Sequence, residues 1–344
     1  MKRASASVTL VIALLAGIAV PLLWSGGRLL DGLRLLPLPA LAAGLGLIVL
    51  SWGCNATRLA LLTGGIGQPL SWWRSLGMVM ATEFAICVTP GGTGGPVIFT
   101  QLGASRGLAA TTALALYAFA QLSDLLVFTV ALIGFAVSLQ GLRNPVLASD
   151  QLWLVGPLLA VLLVLAVAAL RHYRPVLILS GHALRGAGIS LRWRRRLTRW
   201  SLQFRKGMTL LIRLPRWRLA LVLLFCVLHW IARYSVLFLL LCALEVTIPW
   251  AYTYAAQMVA LAAGAVIPLP GGSGGVELAM TLLLTPYLKP ALAAAVVIGW
   301  RFATYHWYLI VGAPIFALMA GSALWRQLWR GPSPAASPGR GPEN

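Results

Sequence analysis

Charged residues are scarce in this chain, and acidic residues are scarcer still. Only 10% of the 344 residues are charged, Asp and Glu together number seven, and 60% of the residues are hydrophobic. A soluble domain carries about 25% charged residues, so this chain could not cover its surface in water. The composition excludes a soluble globular protein, a disordered chain and a nucleic-acid binder. Its net charge of +20 instead indicates basic loops beside anionic lipid headgroups.

The residue patterns that build catalytic or metal sites in soluble enzymes are missing as well. The four cysteines lie in apolar runs without C-x-x-C spacing, so we interpret them as small buried hydrophobes: Cys54, Cys87, Cys226 and Cys242. The four histidines are scattered, without an H-E-x-x-H or nucleophile-elbow pattern. We therefore expect no cofactor, no metal site and no enzyme activity of the soluble type.

Long uncharged stretches predict membrane spans, since about 20 apolar residues cross the hydrocarbon as a helix. The apolar runs cover residues 4–27, 35–57, 107–142 (interrupted only by Asp124), 151–170, 219–244, 246–276 and 302–325. The first run follows Met1-Lys2-Arg3 and could instead be a signal peptide, although no A-x-A-like cleavage site follows it.

Residues 171–218 form a basic segment that contains 13 of the 27 Lys and Arg residues and no Asp or Glu. Trp193, Trp200 and Phe204 are interleaved with these charges, which is typical of an amphipathic segment on the membrane surface. A plain positive-inside topology signal is the alternative and would explain most of the charge. Residues 331–344 are rich in Pro, Gly and Ser and are predicted to form a disordered tail.

Two glycine motifs interrupt otherwise apolar stretches. Residues 89–95 read T-P-G-G-T-G-G and residues 269–275 read L-P-G-G-S-G-G. Four glycines and a proline in six residues disfavour a continuous helix. Irregular backbone at membrane depth is tolerated only where protein or a watery cavity satisfies it. We therefore predict two re-entrant or broken-helix hairpins, at 75–105 and 251–288, with a simple kink as the alternative.

The distribution of basic residues favours these hairpins. With a cytoplasmic N-terminus, a hairpin at 75–105 keeps Arg74 and Arg106 on the cytoplasmic side and later delivers residues 171–218 to the same side. The second half repeats the order of elements in the opposite orientation. The predicted fold is an all-α polytopic membrane protein with about six full spans and two hairpins in an inverted repeat.

The predicted domain organisation is a single transmembrane domain, residues 1–330, with halves 36–140 and 219–321. We expect a multi-pass protein of the cell inner membrane with both termini in the cytoplasm.

Ionisable side chains inside these spans are candidates for function, because each costs about 2.5–3.5 kcal/mol near the bilayer centre. They are Glu83, Asp124, Arg233, Glu277 and Arg301. The two motifs are offset by 180 residues, which aligns Gln121 with Arg301. Asp124 or Glu277 is the expected partner of Arg301. Such a pair could be purely structural, or it could line a groove for a lipid headgroup.

The motif glycines complete the predicted substrate-binding set. Helix N-termini following Gly95 and Gly275 would aim unpaired N–H groups at an anionic phosphate, and glycine permits close backbone approach. The predicted set is Glu277, Arg301, Asp124, Glu83, Gln121, Gly91, Gly92, Gly94, Gly95, Gly271, Gly272, Gly274 and Gly275. The expected partners are membrane lipids with anionic headgroups, and no nucleic acid.

These motifs resemble those of the lysylphosphatidylglycerol synthase membrane-domain family, the flippase-like integral membrane proteins. P-G-G-S-G-G-V-E at residues 270–277 is similar to the family's second hairpin, and T-P-G-G-T-G-G-P at 89–96 to its first. Asn55-Ala56-Thr57-Arg58 resembles the family's Arg-bearing helix end, and Arg301 fits the last long span. The likeness extends over residues 5–325.

The chain also departs from that family. The Glu-Arg-x-x-Asp run that many members carry reads Ala120-Gln121-Leu122-Ser123-Asp124 here. We also expect a stand-alone member without an aminoacyl-transferase domain. The resemblance implies lipid translocation between leaflets rather than lipid aminoacylation. The alternatives are a membrane enzyme or accessory subunit acting on a polyprenyl- or hopanoid-type lipid, or a carrier of ions or small solutes.

Overall fold

A computed structural model describes residues 28–138 and 190–329, together with residues 15, 17–25, 160, 161, 164, 168 and 185. Most of the predicted span at 151–170, residues 171–184 of the basic segment and the tail at 331–344 lie outside the described residues. The predictions made for them stay predictions.

The described chain is helical and contains no strand longer than a single bridge. In the first half the helices are α1 (Leu29–Arg34), α2 (Leu38–Gly65), α3 (Trp72–Val88), α4 (Gly94–Ala104) and α5 (Ala110–Ser138). In the second they are α6 (Leu191–Ile212), α7 (Arg216–Ala243), α8 (Trp250–Ala265), α9 (Gly275–Leu284), α10 (Pro290–Arg301) and α11 (Trp307–Trp329), with a π-helical turn at Phe302–His306 between the last two.

Four helical segments among the described residues are long and apolar enough to cross a membrane. They are Leu38–Gly65, Ala110–Gly134, Arg216–Ala243 and Pro290–Gly321. The all-helical, multi-pass class predicted from composition is therefore confirmed, whereas the total number of spans and the inverted repeat stay predictions.

Helices break at both glycine motifs, as their composition predicts. The first motif separates α3 from α4, and the second separates α8 from α9, and the two helices of each pair pack against each other. Each helix of these pairs is shorter than the four long helices. The two helices have 17 and 11 residues in the first pair, and 16 and 10 in the second. At 1.5 Å per residue, none of the four exceeds roughly 26 Å.

Two hydrophobic clusters hold these helices together. One joins α2 and α7 to the second hairpin and α10 around large buried rings such as Trp52, Tyr252 and Trp300. The other joins the first hairpin to the start of α5 and the end of α6. The buried amide of Gln257 connects three elements, because it donates to the Tyr234 carbonyl at 2.6 Å and accepts from Trp300 Nε1 at 2.8 Å.

Two local expectations change. The second apolar run was expected to end at residue 57, but α2 continues to Gly65, so that Arg58 lies inside the protein at 3% exposure. The helix continues because Leu59 and Leu62 face the second cluster and supply further apolar contacts. Cys242 is exposed near the end of α7, whereas the other three cysteines are buried as expected.

Candidate functional site

The tips of the two hairpins lie against each other. We define the first tip as residues 89–94 and the second tip as residues 269–274. Pro90 and Pro270 form an isolated antiparallel bridge. Tyr305 lies across the junction, since its hydroxyl is 3.3 Å from the Cys87 carbonyl oxygen and 3.5 Å from that of Pro270. The two motifs therefore build one common region, although they are 180 residues apart in sequence.

The two tips share a backbone conformation that favours glycine. The φ angles are +59° and +68° at Gly91 and Gly92, and +65° and +63° at Gly271 and Gly272. Residues other than glycine rarely adopt this left-handed backbone conformation. Identical spacing of proline and glycine in the two motifs thus produces the same left-handed glycine pair twice. The second tip has a third left-handed glycine, Gly274 at +88°, whereas Gly94 in the first tip is helical.

An ion pair in the protein interior stabilises the second tip. Arg301 Nε donates to Glu277 Oε1 at 2.5 Å, and Arg301 Nη2 donates to the Gly271 carbonyl at 3.0 Å. Glu277 Oε2 in turn accepts the Gly274 N–H at 2.6 Å. Glu277 is 1% exposed and Arg301 is 4% exposed. Helical residue Gly17 lies beside the same carboxylate, because a Cβ built there would be 3.4 Å from Glu277 Oε1.

The π-helical turn at Phe302–His306 directly follows Arg301. A π turn widens the helix locally and alters the direction of the following side chains relative to the preceding ones. Here Arg301 reaches Glu277, while Tyr305 reaches both tips and its ring lies under the Arg301 guanidinium at 4.5 Å. The segment from Arg301 to Tyr305 thereby contacts the Glu277 carboxylate, the Gly271 carbonyl and the junction of the two tips.

A second buried ion pair connects α2 to α5. Arg58 donates to both carboxylate oxygens of Asp124, at 2.6 and 3.3 Å. Asp124 Oδ1 also accepts from Trp230 Nε1 at 2.9 Å and from the Cys226 thiol at 3.1 Å, both on α7. The partner of Asp124 is therefore Arg58 and not Arg301. The sequence suggested either acid for Arg301, but α5 carries Asp124 away from that residue and towards α7.

A third ion pair is looser and less buried. Arg233 Nη1 lies 3.3 Å from Glu83 Oε2, with 16% and 14% of the two side chains exposed. The guanidinium also lies 4.7 Å above the Tyr308 ring and 5.5 Å above the Trp230 ring. Aromatic faces stabilise a cation that is partly removed from water. Glu83 has no second hydrogen-bond donor among the contacts of the described residues.

A partly open groove lies between α2 and the first hairpin on one side and α5 on the other. The space between its walls, including the part that is open to the outside, is about 480 Å³. Its polar lining consists of Asn55, Arg58, Thr82, Glu83, Tyr117 and Gln121, and apolar side chains such as Ile86, Phe99 and Leu116 form the remainder. Polar groups that converge in an apolar helix bundle are typical of a binding site in a membrane protein.

The structure divides the predicted site residues into two groups. Glu83 and Gln121 line the groove, and Asp124 is the direct partner of the groove residue Arg58. Glu277 and Arg301 lie at the second tip and bond to each other. The eight glycines occupy the two tips and the helix starts that follow them. Asn55 and Tyr117 were not among the predicted residues, because an uncharged polar residue in an apolar run gives no sequence signal of its own.

Several N–H groups at the helix starts have acceptors within their own hairpin. Unpaired N–H groups were expected at the helix starts, but Gly94 N–H donates to Thr89 Oγ1 at 2.8 Å and Gly95 N–H to the Gly92 carbonyl at 3.0 Å. In the second hairpin, the Gly274 N–H donates to the Glu277 carboxylate, and the Val276 N–H donates to the Gly272 carbonyl at 3.1 Å. These donors are satisfied within each hairpin because the tight turns return the chain onto its own helix start.

A helical bundle with four long apolar helices, two broken-helix hairpins and buried ion pairs defines a multi-pass membrane protein. The sequence model of the lysylphosphatidylglycerol synthase TM region matches residues 7–312, and the chain belongs to this family. It is also similar to a UPF0104 membrane protein of Archaeoglobus fulgidus, with 25% identity over 271 residues that cover 76% of this chain and 81% of the relative.

Proposed function

We propose that this protein moves, or helps to move, an amphipathic lipid between the leaflets of its membrane, with the headgroup passing through the groove beside the first hairpin. The acyl chains would remain in the hydrocarbon outside. The observation that carries the proposal is the polar lining of a groove in a bundle whose outer surface is apolar. Membership of a family named for the membrane region of a lipid synthase supports a lipid as the substrate.

The position of Glu83 supports passage near the middle of the bilayer. Glu83 lies eleven residues after Trp72, the first residue of α3. At 1.5 Å per residue this places it roughly 16 Å along the helix, and half of the hydrocarbon core is about 15 Å. A carboxylate at this depth is costly unless it has a partner or access to water. The groove and Arg233 supply both.

The differing contacts of the two hairpins assign them different roles in this proposal. Glu277 and Arg301 hold the second tip against the core, so we place it in the fixed part of the protein. The first tip has no ion pair of its own, and Pro90, Gly91 and Thr93 are exposed. The first hairpin is therefore the part that would shift to open the groove alternately to the two leaflets, as halves do in inverted-repeat transporters.

Acid–base catalysis has less support than transport. Asp124 and Glu277 are the acids that a membrane enzyme would need, and both have an arginine partner and little exposure. The oxygens of both carboxylates already accept hydrogen bonds within the protein, which leaves fewer lone pairs for a substrate. We accordingly extend the proposal to the substrate-binding set: Glu83, Gln121, Asn55 and Tyr117 contact the headgroup, whereas Glu277, Arg301 and Asp124 hold the surrounding helices.

The test is lipid exchange in liposomes containing purified protein and a panel of headgroup-labelled lipids, scored by reduction of the label in the outer leaflet. Wild-type protein should accelerate exchange of at least one lipid over protein-free liposomes. Glu83→Gln should slow that exchange by about tenfold, equivalent to about 1.4 kcal/mol in the barrier, because the amide cannot hold Arg233 or a headgroup donor as strongly.

The matched control is Glu245→Gln, which makes the same chemical change at an exposed residue after α7. Its exchange rate should equal that of the wild type. Absence of exchange for every lipid in the panel would refute transport. Equal rates for wild type and Glu83→Gln would refute the assignment of the groove while leaving transport intact.

A further inference from the structure

We infer that α6 and the neighbouring protein surface form a binding surface for anionic phospholipids that is separate from the groove. We call this surface the basic face. The basic face comprises the end of α2, the start of α3, the loop from α4 to α5, α6 and the start of α7. These elements lie together, because Leu62, Leu102, Met208, Leu211 and Leu214 share one buried cluster.

The basic face carries a strongly one-sided charge. Its residues 64–76, 104–112 and 190–220 contain no Asp or Glu. They contain twelve basic residues: Arg74, Arg106, Arg192, Arg194, Arg195, Arg196, Arg199, Arg205, Lys206, Arg213, Arg216 and Arg218. No carboxylate of these segments can therefore neutralise the face, and an external anionic layer is the complementary partner.

Helix α6 is amphipathic along its whole length. Phe204, Met208 and Leu211 form its apolar stripe near the C-terminal end and pack on the protein. Trp193, Leu197 and Trp200 continue the same stripe at helical spacing of three and four residues. These three are 60%, 47% and 40% exposed, so the stripe leaves the protein and extends outwards with its apolar side uncovered.

The opposite side of α6 is basic and electrostatically unfavourable without an external anion. Arg195, Arg199 and Lys206 lie roughly opposite the stripe, and all three are exposed. Arg192 and Arg196 are like charges four residues apart, an arrangement that destabilises an isolated helix. Their place in the first turns also adds to the positive end of the helix dipole. Anionic headgroups would offset both effects.

Exposed tryptophans place this face at the membrane boundary. Trp72 and Trp73 at the start of α3 are 38% and 75% exposed, and Trp217 at the start of α7 is 58% exposed. Tryptophan concentrates at the headgroup level, where its ring is half in hydrocarbon. Because α7 enters the membrane at this level, α6 lies in the headgroup layer with its stripe towards the acyl chains and its arginines among the phosphates.

The experiment uses the full-length protein in nanodiscs containing one fifth phosphatidylglycerol in phosphatidylcholine, with bromine on the acyl chains of one lipid or the other. Bromine quenches tryptophans that it contacts. The difference between wild type and Trp193→Phe/Trp200→Phe isolates the two stripe tryptophans. Per mole of lipid, brominated phosphatidylglycerol should quench them about threefold more than brominated phosphatidylcholine, since each nearby basic residue contributes up to about a fivefold preference.

Charge variants then assign the preference to the helix. Arg195→Gln/Arg199→Gln/Lys206→Gln should reduce the ratio towards one. The matched control is Arg28→Gln/Arg34→Gln/Lys289→Gln, which removes the same charges from exposed residues at the two ends of α1 and at the start of α10. It should leave the ratio unchanged. Both triple variants are compared in the wild-type and the Trp193→Phe/Trp200→Phe background.

Two outcomes would overturn the inference. Equal quenching by the two brominated lipids would show that α6 lies on the membrane without selecting anionic headgroups. Quenching by neither lipid would show that protein, and not lipid, covers the stripe. Both outcomes are independent of lipid exchange through the groove, because the variants leave every groove residue in place.

Discussion

The two glycine-rich hairpins solve the same structural problem with different side chains. Each must satisfy the N–H group at the start of its second helix, at Gly94 in one case and Gly274 in the other. In the first hairpin a hydroxyl from before the turn, Thr89 Oγ1, accepts this hydrogen. In the second hairpin a carboxylate from after the turn, Glu277, does so.

This difference changes how firmly each tip is held. Glu277 also binds Arg301, so the second tip belongs to a charged network inside the core. At the positions 180 residues earlier, the first hairpin has Val97 and α5 has Gln121, and both are exposed. We therefore expect the two tips to differ in stability, because the contacts of the flanking residues determine how strongly each tip is retained.

The largest expected effect concerns this network. Arg301→Met should lower the free energy of unfolding by about 3–5 kcal/mol, because it leaves the Glu277 carboxylate buried without its cation. Gln121→Met, at the corresponding position of the first half, should change it by less than about 0.5 kcal/mol. Denaturant unfolding of both variants in the same detergent measures the difference.

A double variant provides the control for that prediction. Glu277→Gln/Arg301→Met removes both charges and should recover part of the lost stability. If Arg301→Met were as stable as Gln121→Met, the second tip would not depend on the ion pair and the contrast between the hairpins would be lost.

An intermediate effect is expected from adding a single methyl group to each tip. Gly91→Ala and Gly271→Ala impose the same left-handed backbone on alanine, at about 1–2 kcal/mol each. A Cβ at Gly91 meets nothing within 4 Å, whereas one at Gly271 lies 2.2 Å from Tyr305 Cε2. Gly271→Ala should therefore cost about 1–3 kcal/mol more. Equal thermal stability losses in the two variants would contradict the tight packing of Tyr305 on the second tip.

The smallest expected effect concerns the cap of the first hairpin. Thr89→Val keeps the shape of the side chain but removes the acceptor of the Gly94 N–H, which should cost about 1 kcal/mol. Hydrogen exchange of residues 94–104 should accelerate accordingly. Thr89→Ser retains the hydroxyl and serves as the control. If hydrogen exchange were as fast in Thr89→Ser as in Thr89→Val, the hydroxyl would not stabilise this helix start.

The hairpins could be predicted from sequence because their cause is local. Proline and four glycines within six residues disrupt a helix wherever they occur, so the breaks at both motifs needed no tertiary information. The pairing of Glu277 with Arg301 was only one of two predicted alternatives. A charge within an apolar run requires a partner, which the sequence shows, but the identity of that partner depends on how distant helices are rotated.

The remaining features depend on long-range packing. Arg58 was expected near the end of a span, yet α2 continues for two turns and buries it against Asp124. Asn55 and Tyr117 become groove residues only because α2 and α5 face each other across the first hairpin. A single sequence contains the apolar periodicity of each helix but not the rotation that selects its partner.

The contact between Pro90 and Pro270 has a consequence for reversibility. Proline has no backbone N–H, so neither of the bridged residues can contribute a donor, and the bridge cannot extend into a ladder as paired strands do. Parting and rejoining the two halves at this point would therefore break few backbone hydrogen bonds. Proline at both positions also disfavours pairing of either tip with a strand of another chain.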